Sequence, residues 1–436
     1  MERGLHRRFD RKLSAFFSHL KTYLSQSQIV TNPVAAIDSS ALKRGCAGII
    51  YAESKADIIR IVEAANRFNV SIDPVSTGLN VGYGDFFPET PSQVVIDLRR
   101  MNRVLGFNTQ EGWMRLEPGV SQGDVAEFLR DNAPEYEFDL TYWLKESSVV
   151  GNSLERGRTL LRERENDLIG AELILGSGDT LRTGFHPMSP SPLSHGLNLH
   201  PLIFQSNLGV VVEGVIKLHR PDLMARYHLV GFERFSDFPQ TIENLKSISG
   251  VRPLRWYCSR TFKSTPVPRS IHARFKDLKG GVLVVESKSS NALRDIQVVQ
   301  APIRRDALMT TPSLDIVPRE PISFFSFAVR PSELQRTQQK IASWRRRFSF
   351  QIFQTISFLE QAPIILLRAH ADPAQQPSDV RQGFRHLSAL IEAEGYVPFR
   401  DHSGLPFKNW TDMELKKMIK NAFDPKGIIS PGRYGV

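Results

Sequence analysis

The chain is poor in cysteine: 436 residues hold only Cys46 and Cys258. That excludes a disulfide framework and a thiolate metal cluster, so a reducing, cytoplasmic compartment is expected. Long apolar runs are missing too. None approaches the roughly 20 residues that span a bilayer, so no transmembrane segment is expected. The N-terminus, MERGLHRRFDRKLSAFFSHLKTYL, lacks the apolar core and small-residue cleavage site of a secretory signal. Its Phe9, Leu13, Phe16, Phe17, Leu20 and Tyr23 fall at helical spacing. They predict an amphipathic helix packed on the body, with a membrane-surface anchor as the alternative. The G-x-G-x-x-G fingerprint is absent, which disfavours a nicotinamide cofactor bound in the usual βαβ manner. No helix-turn-helix, zinc-finger or RNP-type signature accompanies the net charge of +10, so nucleic acid is not an expected partner.

What is present is a basic surface and two kinds of chain. The basic clusters Arg7–Arg8, Arg99–Arg100, Arg158–Arg164, Arg304–Arg305, Arg345–Arg347 and Lys416–Lys420 are scattered, and they favour an anionic substrate or partner. Up to Leu218 the pattern alternates β and α. Ala47–Ala52 reads as a strand, Lys55–Asn69 as a helix with one apolar face, Ser71–Val75 as a strand, and Gly209–Leu218 as a buried strand. From about Arg220 to Ala362 glycine becomes sparse. Strands at Val282–Glu286 and Phe324–Val329 mix with a helix at Ser332–Phe348, and Gln300–Pro321 reads as a Pro- and Arg-rich loop. This predicts a second domain. Helical patterns return at Ser378–Glu394 and Trp410–Phe423.

The segment Pro74–Gly84, PVSTGLNVGYG, follows a strand. Glycine lets a backbone bring its N–H groups close to phosphate oxygens, and Ser76, Thr77 and Asn80 add side-chain donors. Read alone, the loop is a diphosphate cradle or a generic turn. Five other segments accompany it: VVIDLRRMNRV at Val94–Val104, EPGV at Glu117–Val120 followed by Gly123–Val125, SVVGNSLERG at Ser148–Gly157, QSNLG at Gln205–Gly209, and DPKGIISPG at Asp424–Gly432. Together, and in this order, they resemble the FAD-linked oxidoreductases of the vanillyl-alcohol oxidase and p-cresol methylhydroxylase family.

That resemblance implies an α+β fold: a bipartite FAD-binding domain of the p-cresol methylhydroxylase type with an α+β cap. It places the FAD domain at residues 1–222, the cap at 223–385, and a C-terminal segment completing the FAD domain and active site at 386–436. It implies FAD contacts at Pro74, Ser76, Thr77, Gly78, Leu79, Asn80, Gly82, Tyr83 and Gly84, then at Pro118, Gly119 and Val120. Further contacts are implied at Ser148, Val149, Gly151, Asn152, Glu155, Arg156 and Gly157, at Asn207, Gly209, Val210 and Val211, and at Arg400 and Arg433. Tyr83 and Arg400 match family residues that hold a phenolate. Phe399 stands where the family has tyrosine, and His402 keeps a family histidine. The family's catalytic aspartate is replaced by Trp143, so Glu146 is the candidate base, with an exposed loop carboxylate as the alternative. Among His186, His195 and His200, His200 is the candidate acid or base, with packing as the alternative. Leu79 and Asn80 occupy the region where some flavoproteins carry a linking histidine, and Ser323 falls near the cap linkage position, so dissociable FAD is expected.

The expected reaction is hydride transfer from a small phenolic, alcohol or amine substrate to flavin N5. The expected partners are that substrate and an acidic carrier protein or electron acceptor, and a homodimer remains open. The alternatives are a 2-hydroxy-acid dehydrogenase of the same superfamily and a flavin-binding protein without turnover.

Overall fold

A computed structural model describes residues 2–40, 43–141, 144–188, 197–265, 267–289, 293, 299–303, 321–358, 362–372, 374–400 and 413–436. Helix α1 (Glu2–Leu20) buries Phe16, Phe17 and Leu20 against the body. Tyr23 lies beyond its end, half exposed beneath the Arg60 guanidinium.

The first sheet has four strands, β1 (Ile29–Val30), β2 (Gly48–Tyr51), β3 (Ile72–Val75) and β4 (Val94–Asp97), in the order β1-β2-β4-β3. Strands β2 and β3 flank β4 in parallel, as a right-handed crossover through a helix requires. That helix is α2 (Lys55–Phe68). The Ser54 hydroxyl accepts the Asp57 N–H at its start, and Asn69 ends it at φ 53°. Its face of Ile58, Ile61, Val62 and Ala65 is fully buried.

Strands β5 (Val104–Asn108), β6 (Trp113–Leu116), β7 (Leu168–Leu175), β8 (Thr180–Gly184) and β9 (Gly209–Lys217) form a second sheet, ordered β8-β7-β9-β6-β5. Ile174, Val210 and Val212 from its centre share a core with α2 and the first sheet. Among the described residues three helices lie between β6 and β7 in the chain: α3 (Gln122–Asn132), the short α4 (Val149–Leu154) and a single helical turn at Arg164–Asp167.

The C-terminal tail rejoins the first sheet. Ile72 donates to the Ile428 carbonyl and accepts from Ser430 N–H, both as backbone bonds. Buried Asp424 secures this tail by accepting the N–H groups of Ile428 and Ile429 and the Lys420 ammonium, at 3.0, 2.8 and 2.7 Å. A doubly bonded, ion-paired carboxylate tolerates burial where a bare one does not.

The third sheet is antiparallel and eight-stranded. Its strands are β10 (Arg226–Phe232), β11 (Val251–Tyr257), β12 (Gly281–Ser287), β13 (Val299–Ile303), β14 (Ile322–Ala328), β15 (Gln351–Ser357), β16 (Ile364–His370) and β17 (Pro398–Arg400). They are ordered β13-β10-β12-β11-β15-β16-β14-β17. Strand β13 runs into the start of the segment predicted as loop. As an edge strand bonded only to β10, it accommodates Pro302, which a central strand would not. Helices α5 (Phe238–Ser247), α6 (Leu334–Arg345) and α7 (Pro377–Ala393) cover one face of the sheet, burying Trp256, Phe325, Phe327, Ile352, Ile356, Ile365 and Leu367. Successive strand residues point to opposite faces, so their neighbours are left for the other side.

Candidate functional site

Two clefts meet along the sequence motifs. The first lies between the first two sheets and is floored by the loop after β3. From Thr77 to Asn80 the backbone N–H groups have no acceptor among the described residues, and all four residues line the cleft. Such a run of outward N–H groups is an anion nest. Two glycines make the approach close. Gly82 sits at φ 75°, where a Cβ would collide with the Phe324 ring, and a Cβ on Gly151 would strike the Ser76 hydroxyl. The Ser148 side chain caps α4 by accepting Gly151 N–H at 2.9 Å, and Ser148 N–H donates to the Thr77 hydroxyl at 3.1 Å. This donor-rich, carboxylate-poor wall fits a dinucleotide diphosphate.

Most of the cofactor contacts drawn from sequence come together here. Pro74, Ser76, Thr77, Gly78, Leu79 and Asn80 line this cleft. So do Pro118, Ser148, Gly151, Asn152, Glu155, Asn207, Gly209, Val211, Arg400 and Arg433. Others stand behind it. Val120 and Val149 are in the core, and Val210 alternates with Val211, so its side chain points the opposite way. Gly119 is walled by the Leu98, Arg99 and Met101 carbonyls, while Gly82 and Gly84 shape the loop from positive φ. Tyr83, Arg156 and Gly157 face the second cleft instead. Tyr434, Ser430 and Gln205 also line the first cleft, although sequence reasoning did not single them out. Gln205 and Ser430 lie inside quoted motifs and Tyr434 two residues beyond one, and that proximity is the signal that could have found them.

A charge cluster closes the end of this cleft. Arg433 reaches Glu155 at 3.1 Å and Asp73 at 3.6 Å. Arg400 reaches Glu155 at 3.5 Å, and the Tyr434 hydroxyl donates to Glu155 at 2.5 Å. Burial pushes the Glu155 carboxyl up, but Arg433, Arg400 and the two tail hydrogen bonds outweigh it and hold it below the usual carboxylate range. At Asp73 burial wins over the more distant Arg433, and its carboxyl is raised.

The second cleft, a space of about 1220 Å³, opens onto the free face of the eight-stranded sheet. Alternation delivers Arg255 and Tyr257 from β11, Phe353, Thr355 and Ser357 from β15, and Ile364, Leu366 and Arg368 from β16. Phe324 and Ser326 come from β14, and Arg400 from β17. The register aligns Tyr257, Thr355, Leu366, Ser326 and Arg400 as one cross-strand row.

Arg400 lies where the clefts meet, lining both. It donates to the Asn80 side chain of the loop and stands 4.0 Å over the Tyr83 ring. Tyr83 is buried and stacked on Phe324 at 5.4 Å. Burial raises its hydroxyl pKa, opposed by Arg400. Phe399 lines the second cleft beneath the Arg158 guanidinium at 3.9 Å.

The two other candidate catalytic residues lie apart from this junction. His200 bonds the Thr183 hydroxyl at 2.9 Å and the Leu168 carbonyl at 2.7 Å, so both ring nitrogens tie β8 to β7, and burial lowers its pKa. It lines neither cleft, and packing accounts for its contacts. Glu146 is half-buried, has one carboxylate oxygen without a hydrogen-bond partner, and also lines neither cleft. Trp143, His195 and His402 lie outside the described residues. Ser323 is fully buried in β14. Cys46 and Cys258 are buried free thiols. No described helix is long and apolar enough to cross a membrane, and no described group of three or more His, Cys, Asp or Glu residues could hold a metal ion.

Residues 46–184 match the model of an FAD binding domain. The 1'-carboxy-chondrochloren decarboxylase of Chondromyces crocatus is 32% identical over 52% of this chain and 43% of its own length. The 4-cresol dehydrogenase [hydroxylating] flavoprotein subunit of Pseudomonas putida is 26% identical over 48% of this chain and 40% of its own length. These alignments thus span about two fifths of those relatives. The whole fold is matched by p-cresol methylhydroxylase with substrate bound, at a TM-score of 0.81, 17% identity, and coverage of 98% of this chain and 97% of the other. Residues 46–184 thus form an FAD binding domain, whose cofactor is FAD, and the chain as a whole has the fold of p-cresol methylhydroxylase.

Proposed function

We propose that this chain is an FAD-dependent enzyme that oxidises a small organic substrate seated on the free face of the cap sheet. The cap would span residues 223–385, with residues 1–222 and 386–436 forming the cofactor domain. The observation that carries this reading is Arg400, which lines both clefts and contacts the diphosphate loop through Asn80. Flavin, when bound, would supply the two-electron acceptor for this oxidation.

The protein's own contributions are separable. The N–H groups of Thr77–Asn80 and the α4 N-terminal region hold the diphosphate. Arg400, half-neutralised by Glu155, offers fixed positive charge to a phenolate, a carboxylate or the electron-rich end of the reduced cofactor. Tyr83, held protonated by burial, donates a hydrogen bond to the substrate's oxygen. Phe324, Phe353 and Leu366 exclude water from the reacting end. The name of the 32% identical relative, a decarboxylase of a carboxylated molecule, is compatible with an anionic substrate. Among the described residues no carboxylate or imidazole lines the cap cleft, which is compatible with a substrate that is already ionised or needs no protein base. FAD is proposed to be dissociable, and the electron acceptor to be oxygen or an acidic protein attracted by the basic surface. The two buried free thiols suit a cytoplasmic setting.

FAD titration of the purified chain, followed by anaerobic mixing with phenolic, alcohol and aryl-carboxylate substrates, tests this. Stoichiometric uptake and bleaching of the flavin band by at least one class are expected. A chain that takes up no FAD overturns the proposal, and one whose flavin is photoreducible but never bleached by substrate supports a non-catalytic flavoprotein. Acid precipitation should leave the flavin in the supernatant.

A further inference from the structure

Among the described residues, five arginines line the cap cleft and no aspartate or glutamate does. Three of the five already meet carboxylates outside it: Arg156 with Glu165 at 3.0 Å, Arg158 with Glu163 at 2.6 Å, and Arg400 with Glu155 at 3.5 Å. Arg368 lies against the Phe353 ring at 4.8 Å. Arg255 differs from these. It is only 8% exposed, and among the described residues its one hydrogen bond runs from Nη2 to the Thr159 carbonyl at 2.5 Å, with no carboxylate within ion-pair distance. A guanidinium cannot shed its proton, and burying it without a counter-ion is costly. Its remaining N–H groups therefore lack an anion that the protein does not supply, and they face the cleft.

The position of Arg255 defines the ligand. It stands on β11, two residues before Tyr257, and Tyr257 heads the cross-strand row that ends at Arg400. That row crosses four strand spacings, so the two backbones are roughly 19 Å apart. Between them lie Thr355, Leu366 and Ser326, a mixed apolar and hydroxyl floor, and beside Arg255 lie Ser357 and Ile364.

We propose that Arg255 binds a carboxylate at the tail of an elongated substrate, at the cleft end remote from Arg400, where oxidation occurs. One uncompensated guanidinium matches one planar carboxylate by two parallel hydrogen bonds. A phosphate monoester brings nearly two charges, and the neighbouring Arg158 is already ion-paired. This inference rests on the cap cleft being the substrate site of the proposed oxidoreductase.

The test uses FAD-loaded protein and a series of 4-hydroxyphenyl-alkanoates from the acetate to the heptanoate, each with its methyl ester. Binding is read by calorimetry and by perturbation of the flavin absorption band. The longer acids should bind at least about tenfold more tightly than their esters, an advantage that weakens with added salt. Arg255→Met should reduce the acid-to-ester ratio to within about twofold while FAD affinity stays unchanged, and Arg255→Lys should keep part of the preference. Equal binding of acids and esters to the wild-type protein overturns the inference even if the variants fold poorly. So does a preference that survives in a well-folded Arg255→Met, a preference confined to the shortest acid, or tighter binding of the matching alkyl phosphate. Failure to take up FAD overturns the functional reading instead, and is read before any acid is added.

Discussion

The two clefts are built by opposite means. The first is made largely of backbone: glycines, a short capped helix, and the N–H groups of Thr77–Asn80, which find no acceptor among the described residues. The second is made of side chains projecting from a sheet whose strands come from residues 251–257, 322–328, 351–357, 364–370 and 398–400. A backbone site recognises a shape every FAD shares, so few sequences suit it. A side-chain site on a regular sheet can be rewritten at every second residue without disturbing the ladder, which is how one fold serves different substrates. Changes in the first cleft should therefore abolish cofactor binding, and changes in the second should alter substrate choice with FAD retained.

The largest expected break is in the latch of the first cleft. Asp424→Ala leaves Lys420, which is 5% exposed, buried without its carboxylate and releases two N–H groups of the tail. A loss of about 3–5 kcal/mol of stability is expected, together with loss of FAD binding. Urea denaturation followed by tryptophan fluorescence measures it. Next is the shared residue. Arg400→Met should lower the rate of flavin reduction by substrate by about 100-fold, and it should weaken FAD several-fold because Asn80 and Glu155 lose their partner. A change in only one of the two quantities would separate the clefts at a point where the geometry joins them. Gly82→Ala follows. Strain at φ 75° and the clash with Phe324 should cost about 1–3 kcal/mol and show as weaker FAD binding in a fluorescence titration.

The smallest effects are in pH dependence, and they have opposite signs within the first cleft. Glu155 has a depressed pKa in the fold, so its stabilisation is present above the ordinary carboxylate value and disappears as pH falls through the lower, folded one. Glu155→Gln should thus cost more stability at pH 7 than in acid. Asp73 has a raised pKa, so the folded state is penalised as pH climbs from the ordinary value through the raised one. Asp73→Asn should gain on the wild type over that rise. Thermal melts between pH 3.5 and 7.5 check both signs.

The legibility of these features follows the same division. The loop at Pro74–Gly84 could be read from sequence because its residues lie within a few positions of one another, under backbone constraints that few residue types satisfy; the α4 cap and the Asp424 latch lie in motifs quoted only for the resemblance. Helix α2 and strands β3 and β9 were equally local. Arg255 and Arg368 were not foreseen. Nothing in RPLRWY or IILLRAH shows that these arginines belong to one surface until β11, β15 and β16 pair in register. His200 and Glu146 stood close to motif residues in the chain, yet the fold turns His200 into the seam between β7 and β8 and leaves Glu146 outside both clefts.

The sequence by itself determined the helix–strand–loop order around Pro74–Gly84 and left that loop as a diphosphate cradle or a generic turn, because glycines at positive φ and one-faced helices leave a compositional trace. The tertiary structure alone decided which arginine lacks a counter-ion and how far it stands from Arg400, because strand pairing between distant segments sets those distances and no local pattern encodes them.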